Sequence, residues 1–228
     1  MARVVVATVK PWNLAQYRRW ADATVHESRL IARPEALTAA ALAEFAPDYV
    51  FFPHWSWRIP SDVHERFECV AFHMTDLPFG RGGSPLQNLI VRGITATKLS
   101  AFRVTEGLDA GPVYLKRPLT LDGSAREIYE RAAALVFSMI DEMLGTRPRP
   151  VAQQGRVVTF ARRTPADSEI PGGLDPERLY DFIRMLDAET YPPAFLMRDG
   201  LRYEFTNASL RDGRVVATVT VVADKDMA

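Results

Sequence analysis

The sequence is short of several things, and each shortage closes off a class of function. It has one cysteine, Cys69, so no internal disulfide can form. In an apolar run, a single cysteine reads as a buried, inert thiol, and a cytoplasmic setting is expected. Lys plus Arg and Asp plus Glu are equal at 28 each, and the formal net charge is zero. That balance argues against a general attraction to nucleic acid or to an anionic membrane surface. No stretch approaches the roughly 20 apolar residues that span a bilayer. The opening MARVVVATVKPWN has only a short apolar run and no cleavage signal, so no signal peptide is expected. The four histidines and one cysteine form no cluster at ligand spacing, and no metal is expected,. What is present is 228 residues, 47% of them hydrophobic, enough for one good-sized core and a small appendage,.

Read for periodicity, the first half alternates strands with helices. Arg3–Val9, Arg29–Ala32, Asp48–Phe52 and Cys69–His73 read as strands. Trp12–Ala23 and Pro34–Phe45 read as helices, with Ser61–Arg66 a helical turn. Beyond them come a helix over Ser84–Arg92 capped by Ser84, a strand over Lys98–Val104, and a strand over Val113–Leu121 interrupted by Pro118. The long helix Ser124–Leu144 opens on a capping box of Ser124 and Glu127, and Arg156–Phe160 is a last short strand. Thr164–Pro176 reads as a linker. It leads to a helix over Glu177–Ala188 and three strands, Ala194–Met197, Leu201–Thr206 and Val215–Val222, with Asp-Gly turns before the second and third. The expected fold is α/β: a Rossmann-like open, mostly parallel sheet with helices on both faces, plus a small C-terminal helix-and-strand appendage. The expected domains are 1–165, catalytic, and 166–228, a linker with a β-rich module that packs on the main domain or on a second subunit, making a homodimer.

In open α/β sheets, sites gather outside the carboxyl ends of the strands. Two segments lie at such ends: PHWSWRIP from Pro53, and HMTDLPFGRGGSPL from His73. The second offers a histidine, then Arg81 beside Gly80, Gly82 and Gly83 at a strand-to-helix turn. Those glycines read first as turn residues, and Arg81 is placed to meet an anion. A later loop, EGLDAG, returns one carboxylate, Asp109. A strand-end histidine facing a distant acid is the outline of a proton-transfer site.

In this order the pieces resemble the folate-dependent formyltransferases, which formylate an amine with 10-formyltetrahydrofolate. That group includes the glycinamide ribonucleotide, methionyl-tRNA and sugar N-formyltransferases. Its pattern runs N-x-H-x-S-L-L-P, then R-G-x-x-P, then L-D-x-G-D. His73, Leu77-Pro78, Arg81-Gly82, Pro85 and Leu108-Asp109-x-Gly111 match it. The resemblance covers about residues 45–165 and extends into IRMLDAETYPPAF of the tail. It implies that His73 and Asp109 are catalytic. It assigns Pro53, His54, Trp55, Ser56, Trp57, Ile59, Leu108 and Asp109 to the folate. Trp12, Asn13, Asp76, Arg81, Gly82 and Gly83 fall to the acceptor. One position departs: Ala71 stands where the family keeps an asparagine, whose amide helps hold the formyl oxygen as it gains charge. Gln87, Asn88, Thr75 and His54 are the candidates to replace that amide.

The function expected from the resemblance is transfer of the formyl group of 10-formyltetrahydrofolate to a nucleotide-linked amino sugar, of the pseudaminic-acid kind among others. The expected partners are therefore small-molecule substrates, with no nucleic acid and no membrane. The alternatives are a methionyl-tRNA formyltransferase-like enzyme, a formyltetrahydrofolate hydrolase, and a non-catalytic folate- or nucleotide-sugar-binding protein. Zero net charge and a short tail weigh against the tRNA alternative, and Ala71 keeps the non-catalytic one open.

Overall fold

The β-branched run that follows Ala2 buries Val4, Val5 and Val6 almost completely, and it forms strand β1 (Arg3–Ala7),. The computed structural model describes residues 1–189 and 191–223. Thr190 and 224–228 of the expected C-terminal range lie outside the described residues. After β1 come α1 (Pro11–Ala23), β2 (Glu27–Ile31), α2 (Ala39–Phe45), β3 (Tyr49–Pro53), α3 (Ser61–His64), β4 (Cys69–His73), β5 (Phe79–Gly82), α4 (Pro85–Ile90), β6 (Ala96–Arg103), β7 (Val113–Thr120) and α5 (Ala125–Thr146). The chain ends with β8 (Val158–Phe160), α6 (Pro176–Arg184), β9 (Ala194–Arg198), β10 (Leu201–Arg211) and β11 (Arg214–Ala223). It divides into two compact units.

The first unit holds Met1–Gly82, Thr97–Leu119 and Tyr129–Thr159. Its sheet runs β2-β1-β3-β4-β6-β7. The pairs β1–β2, β1–β3 and β3–β4 are parallel, and β4–β6 is antiparallel. The mostly parallel, Rossmann-like sheet expected from the alternation is therefore present. The chain leaves β1 for β2 on one side and β3 on the other. The strand order thus reverses between β1 and β3, and the carboxyl ends at such a switch point are the place these folds use for ligands,. One face of the sheet is packed by Val5, Val50, Phe52, Cys69, Leu42, Phe45 and Val63. Cys69 is 1% exposed. Burial first, and the charge of Glu68 second, push its thiol up to about 12, so it stays an inert SH,.

Two local expectations are corrected here. Pro118 does not interrupt β7, because β7 is the sheet's edge, where a residue without an N–H leaves no ladder bond unmade,. The helix expected over Pro34–Phe45 divides into a 3₁₀ turn, Pro34–Ala36, and α2. Thr38 is extended between them and caps α2 by accepting the Ala41 N–H at 3.2 Å,.

The second unit holds Gly83–Ala96, Thr120–Ile128 and Phe160–Ala228. The expected capping box at the start of α5 is formed. Glu127 Oε2 accepts the Ser124 N–H at 2.7 Å, and Ser124 Oγ accepts the Glu127 N–H at 3.3 Å,. Ser84, by contrast, does not cap α4. Its backbone is left-handed at φ 47°, and its hydroxyl accepts the Arg163 N–H at 3.1 Å. The segment expected as a linker contains a 3₁₀ turn, Pro165–Ser168, and Ile170 N donates to Phe195 O at 2.8 Å. Helix α6 is shorter than expected. Asp175 caps it, with Pro176 next, and Phe182 and Ile183 are buried,. Strands β9, β10 and β11 make an antiparallel meander. Both of its turns carry positive φ at consecutive residues, Asp199 and Gly200 at 51° and 74°, Asp212 and Gly213 at 50° and 68°. Tight hairpins need this, and Asp-Gly supplies it.

Candidate functional site

Strand β4 delivers His73 at its carboxyl end, 8% exposed. Its Nε2 lies 2.7 Å from the carbonyl oxygen of Gly80. A carbonyl only accepts, so Nε2 carries the hydrogen and Nδ1 is the open nitrogen. Nδ1 faces Asp109 Oδ2 at 3.7 Å. The sequence separates these two residues widely, and the fold brings them together. Asp109 has a left-handed backbone, φ 49°, in the loop between β6 and β7. Its Oδ2 also accepts the Gly82 N–H at 2.8 Å. Gly80 and Gly82 have φ of 76° and 107°. The turn they permit puts a carbonyl on one side of the histidine–acid pair and an amide on the other.

A side chain that no motif singled out closes this arrangement. Gln153, in the irregular stretch between α5 and β8, donates from Nε2 to Asp109 O and Gly111 O, both at 2.8 Å. Its Oε1 accepts from Arg81 Nε at 3.1 Å and Arg81 Nη2 at 2.7 Å. The Arg81 side chain is thus turned to Gln153. Gly111 is needed for fit, because a Cβ there would stand 1.8 Å from Arg103 O.

Ala71 lies two residues before His73 on the same strand and packs, partly buried, against the apolar cluster of Phe52 and Cys69. Of the four candidates for the absent amide, Thr75 shares a hydrogen-bond partner with His73. It is fully buried, and its hydroxyl reaches the same Gly80 carbonyl as His73, at 3.5 Å. Gln87 and Asn88 belong to the second unit. Gln87 donates to Met185 O at 2.9 Å, and Asn88 donates to Gly83 O, Ser84 O and Ala161 O at 3.0 to 3.2 Å. The Gly83 backbone also lies in the second unit, where a Cβ would stand 2.5 Å from the Arg162 side chain.

His54 directly follows β3, at its carboxyl end, with φ 48°. Trp12 Nε1 and Asn13 Nδ2 both approach its Nδ1, at 3.1 and 3.0 Å, and Asn13 Nδ2 also lies 3.3 Å from Pro53 O. Two donors on Nδ1 make it the acceptor, so Nε2–H points at Met74 Sδ, 3.0 Å away. Burial first, then the charges of Lys10 and His73, hold His54 down at about 3, so it is a neutral group at any physiological pH. Trp12 stacks flat on Tyr129, with centroids 4.6 Å apart. Asp76 is engaged by Lys116 at 2.5 Å and Lys98 at 2.9 Å. Partial burial tends to raise its carboxyl, but the hydrogen bonds and charges of the two lysines together outweigh that and hold it below the usual carboxylate range. It anchors the turn after His73. In the following loop Trp55 and Trp57 lie together, 5.3 Å between centroids, with Ser56 exposed and Ile59 packed against the core. Leu108 is 71% exposed beside Asp109. Among the described residues no group of His, Cys, Asp and Glu could hold a metal ion, and no helix is long and apolar enough to cross a membrane.

Known proteins resemble most of this chain. A solved structure of methionyl-tRNA formyltransferase from Clostridium thermocellum superposes with a TM-score of 0.96 at 44% identity, covering 98% of this chain and all of that one. A curated methionyl-tRNA formyltransferase from Methylobacterium nodulans is 30% identical over 161 residues, 65% of this chain and 51% of its own length. The chain spans about half the length of the first curated relatives it matches. HypX from Aquifex aeolicus in complex with tetrahydrofolic acid shares the fold, with a TM-score of 0.75 at 18% identity over 92% of this chain and 38% of its own. The family model described as methionyl-tRNA formyltransferase, C-terminal domain, matches residues 165–222.

These findings correct two expectations. The amino-sugar acceptor and the exclusion of nucleic acid both fall, because the near-full-length match and the curated relatives bear the name methionyl-tRNA formyltransferase. Zero net charge measures only bulk attraction and does not bear on a local contact with an aminoacylated end. The tail judged too short matches that family's C-terminal model.

Proposed function

The chain belongs to the folate-dependent formyltransferases, and on that premise we propose that it moves a formyl group from 10-formyltetrahydrofolate to the amine of methionyl-tRNA. The observation that carries the reading is the His73–Asp109 pair, 3.7 Å apart at the carboxyl end of β4. The folate supplies the activated formyl carbon. The amine sheds a proton as it attacks. His73 takes that proton at Nδ1, since Nε2 is committed to the Gly80 carbonyl,. Asp109, fixed by the Gly82 amide, faces the imidazolium that results. The same imidazolium can return the proton to the leaving nitrogen. Thr75, buried beside Gly80, donates its hydroxyl hydrogen to the Gly80 carbonyl and so supports the turn at His73 rather than replacing the amide absent at Ala71.

The residues fit the folate. Trp55 and Trp57 offer ring faces, and the Trp55 indole N–H is buried with no acceptor, a donor that a pterin oxygen or nitrogen would satisfy,. Asn13, expected to meet the acceptor, is fully buried and directs its amide to Pro53 O and His54, so in this reading it supports the loop after β3. A cytoplasmic setting goes with the reading. The test is to incubate the purified chain with 10-formyltetrahydrofolate and methionyl-charged initiator tRNA, and to assay N-formylmethionine by mass spectrometry. Product should require both substrates and form at least about 10²-fold more slowly in His73→Asn. Formate released equally with and without tRNA, or no turnover at all, would sink the reading.

A further inference from the structure

Gln153 was outside every motif, yet its amide uses all four of its hydrogen-bonding positions at the candidate site,. Its orientation follows from its partners. Two carbonyls, Asp109 O and Gly111 O, must face the NH₂ end, and the Arg81 guanidinium must face the oxygen. Flipping the amide would set oxygen against oxygen and nitrogen against nitrogen, so one orientation survives.

The links form a closed ring. The backbone of Asp109 is tied through Gln153 to the Arg81 side chain. The next residue, Gly82, is tied by its N–H to the Asp109 carboxylate at 2.8 Å. Two independent connections therefore join β5 to the loop that carries the acid. That loop lies between β6 and β7, outside both strands, so contacts such as these are what fix its course past His73. Gln153 is itself held from upstream, where Val151 and Val113 exchange backbone hydrogen bonds at 2.8 Å.

We infer that Gln153 is a positioning residue. It clamps the backbone of the Asp109 loop to Arg81 and thereby sets the carboxylate against His73 Nδ1. The Gln153 amide is neutral, so the group that touches the Asp109 loop places no charge of its own beside the carboxylate. This inference rests on the formyl-transfer reading for its consequence in rate, but its structural content can be tested apart from activity.

The experiment compares the wild type with Gln153→Met, which keeps the length and loses every hydrogen bond. It also uses Gln153→Glu, which keeps an acceptor for Arg81 but presents oxygen to two carbonyls. In steady-state formylation both variants should lose kcat by about tenfold or more with KM for the folate within about twofold, the pattern of lost orientation rather than lost binding. Gln153→Glu should be no better than Gln153→Met, because the link to the loop matters and the link to Arg81 alone does not. The second readout uses ¹⁵N-histidine labelling, which gives four ring systems to follow. The His73 ring signals should move in both variants toward those of Asp109→Asn, while His26 and His64 stay in place. Unmoved His73 signals would overturn the inference, as would Gln153→Glu keeping wild-type kcat. If the wild type makes no formylated product, the formyl-transfer reading fails, and the His73 signals still decide whether Gln153 positions Asp109.

Discussion

The Asp109 carboxylate accepts the Gly82 amide hydrogen at 2.8 Å, and so ties the loop that returns the acid to the turn that follows the histidine. The lone pair given to Gly82 fixes where the remaining charge of Asp109 points, which is across 3.7 Å to His73. The following outcomes are expected from this and related contacts.

Asp109→Asn keeps an oxygen for the Gly82 amide and removes the charge facing His73. We expect the fold to survive, with an unfolding midpoint near that of the wild type. Formylation should fall by about 10²- to 10⁴-fold, as for loss of a general acid–base partner. His73→Asn should fall as far, and the double variant little further, because the two act as one unit. Additive losses in the double variant would separate their roles.

Gly111→Ala would place a methyl carbon 1.8 Å from the carbonyl oxygen of Arg103. Both partners are backbone, so neither can swing aside. Destabilisation of about 3 kcal/mol or more is expected by chemical denaturation. Activity should be lost with it, since Gly111 O is one of the two carbonyls held by Gln153. Gly145→Ala is the control. A Cβ there meets nothing within 4 Å, and its exposed helical site should gain slightly in stability.

His54 is neutral in the folded chain down to about 3, against an ordinary value of 6.5. The unfolded chain takes up a proton that the folded chain refuses. Stability is therefore fully present above about 6.5 and falls as pH drops toward about 3, by up to about 1.4 kcal/mol per pH unit. Urea unfolding between about pH 7 and about pH 5 should show this slope. His54→Gln should flatten it, and an equal slope in that variant would assign the effect to other groups.

Arg184 in the second unit is 6% exposed and serves three acceptors: Leu121 O at 2.6 Å, Gly123 O at 2.7 Å and Asp181 Oδ1 at 2.7 Å. Arg184→Met fills similar space and leaves two buried-side carbonyls and a carboxylate without their donor. A loss of about 3 kcal/mol is expected by chemical denaturation. Arg178→Met, on the exposed side of the same helix, should change stability by under about 0.5 kcal/mol,.

Elements whose cause is local were readable from the residues alone. The valine run of β1, the Ser124–Glu127 capping box, the two Asp-Gly turns and the strand-end position of His73 each depend on neighbours a few residues away. The order of His73, Leu77-Pro78, Arg81-Gly82 and Leu108-Asp109 was enough to point to the family. Composition misled on the acceptor, because net charge averages over the surface and an acceptor is chosen by local shape and contact.

Tertiary structure decided what depends on distant partners. Pro118 is harmless because β7 ended at the sheet edge. The Ser84 hydroxyl accepts the Arg163 N–H instead of capping α4. Asp76 and Arg81 looked open to a ligand in one dimension and met Lys116, Lys98 and Gln153 in three. Gln153 had no signal at all, since its four bonds reach residues far along the chain. The sequence by itself determined which chemistry the chain can hold, a histidine and an acid beside a glycine-rich turn. Only folding decided which nitrogen of His73 is free and what holds Asp109 against it. A hydrogen bond between remote segments is set by where the packed strands and loops come to rest, and no short stretch of residues specifies that.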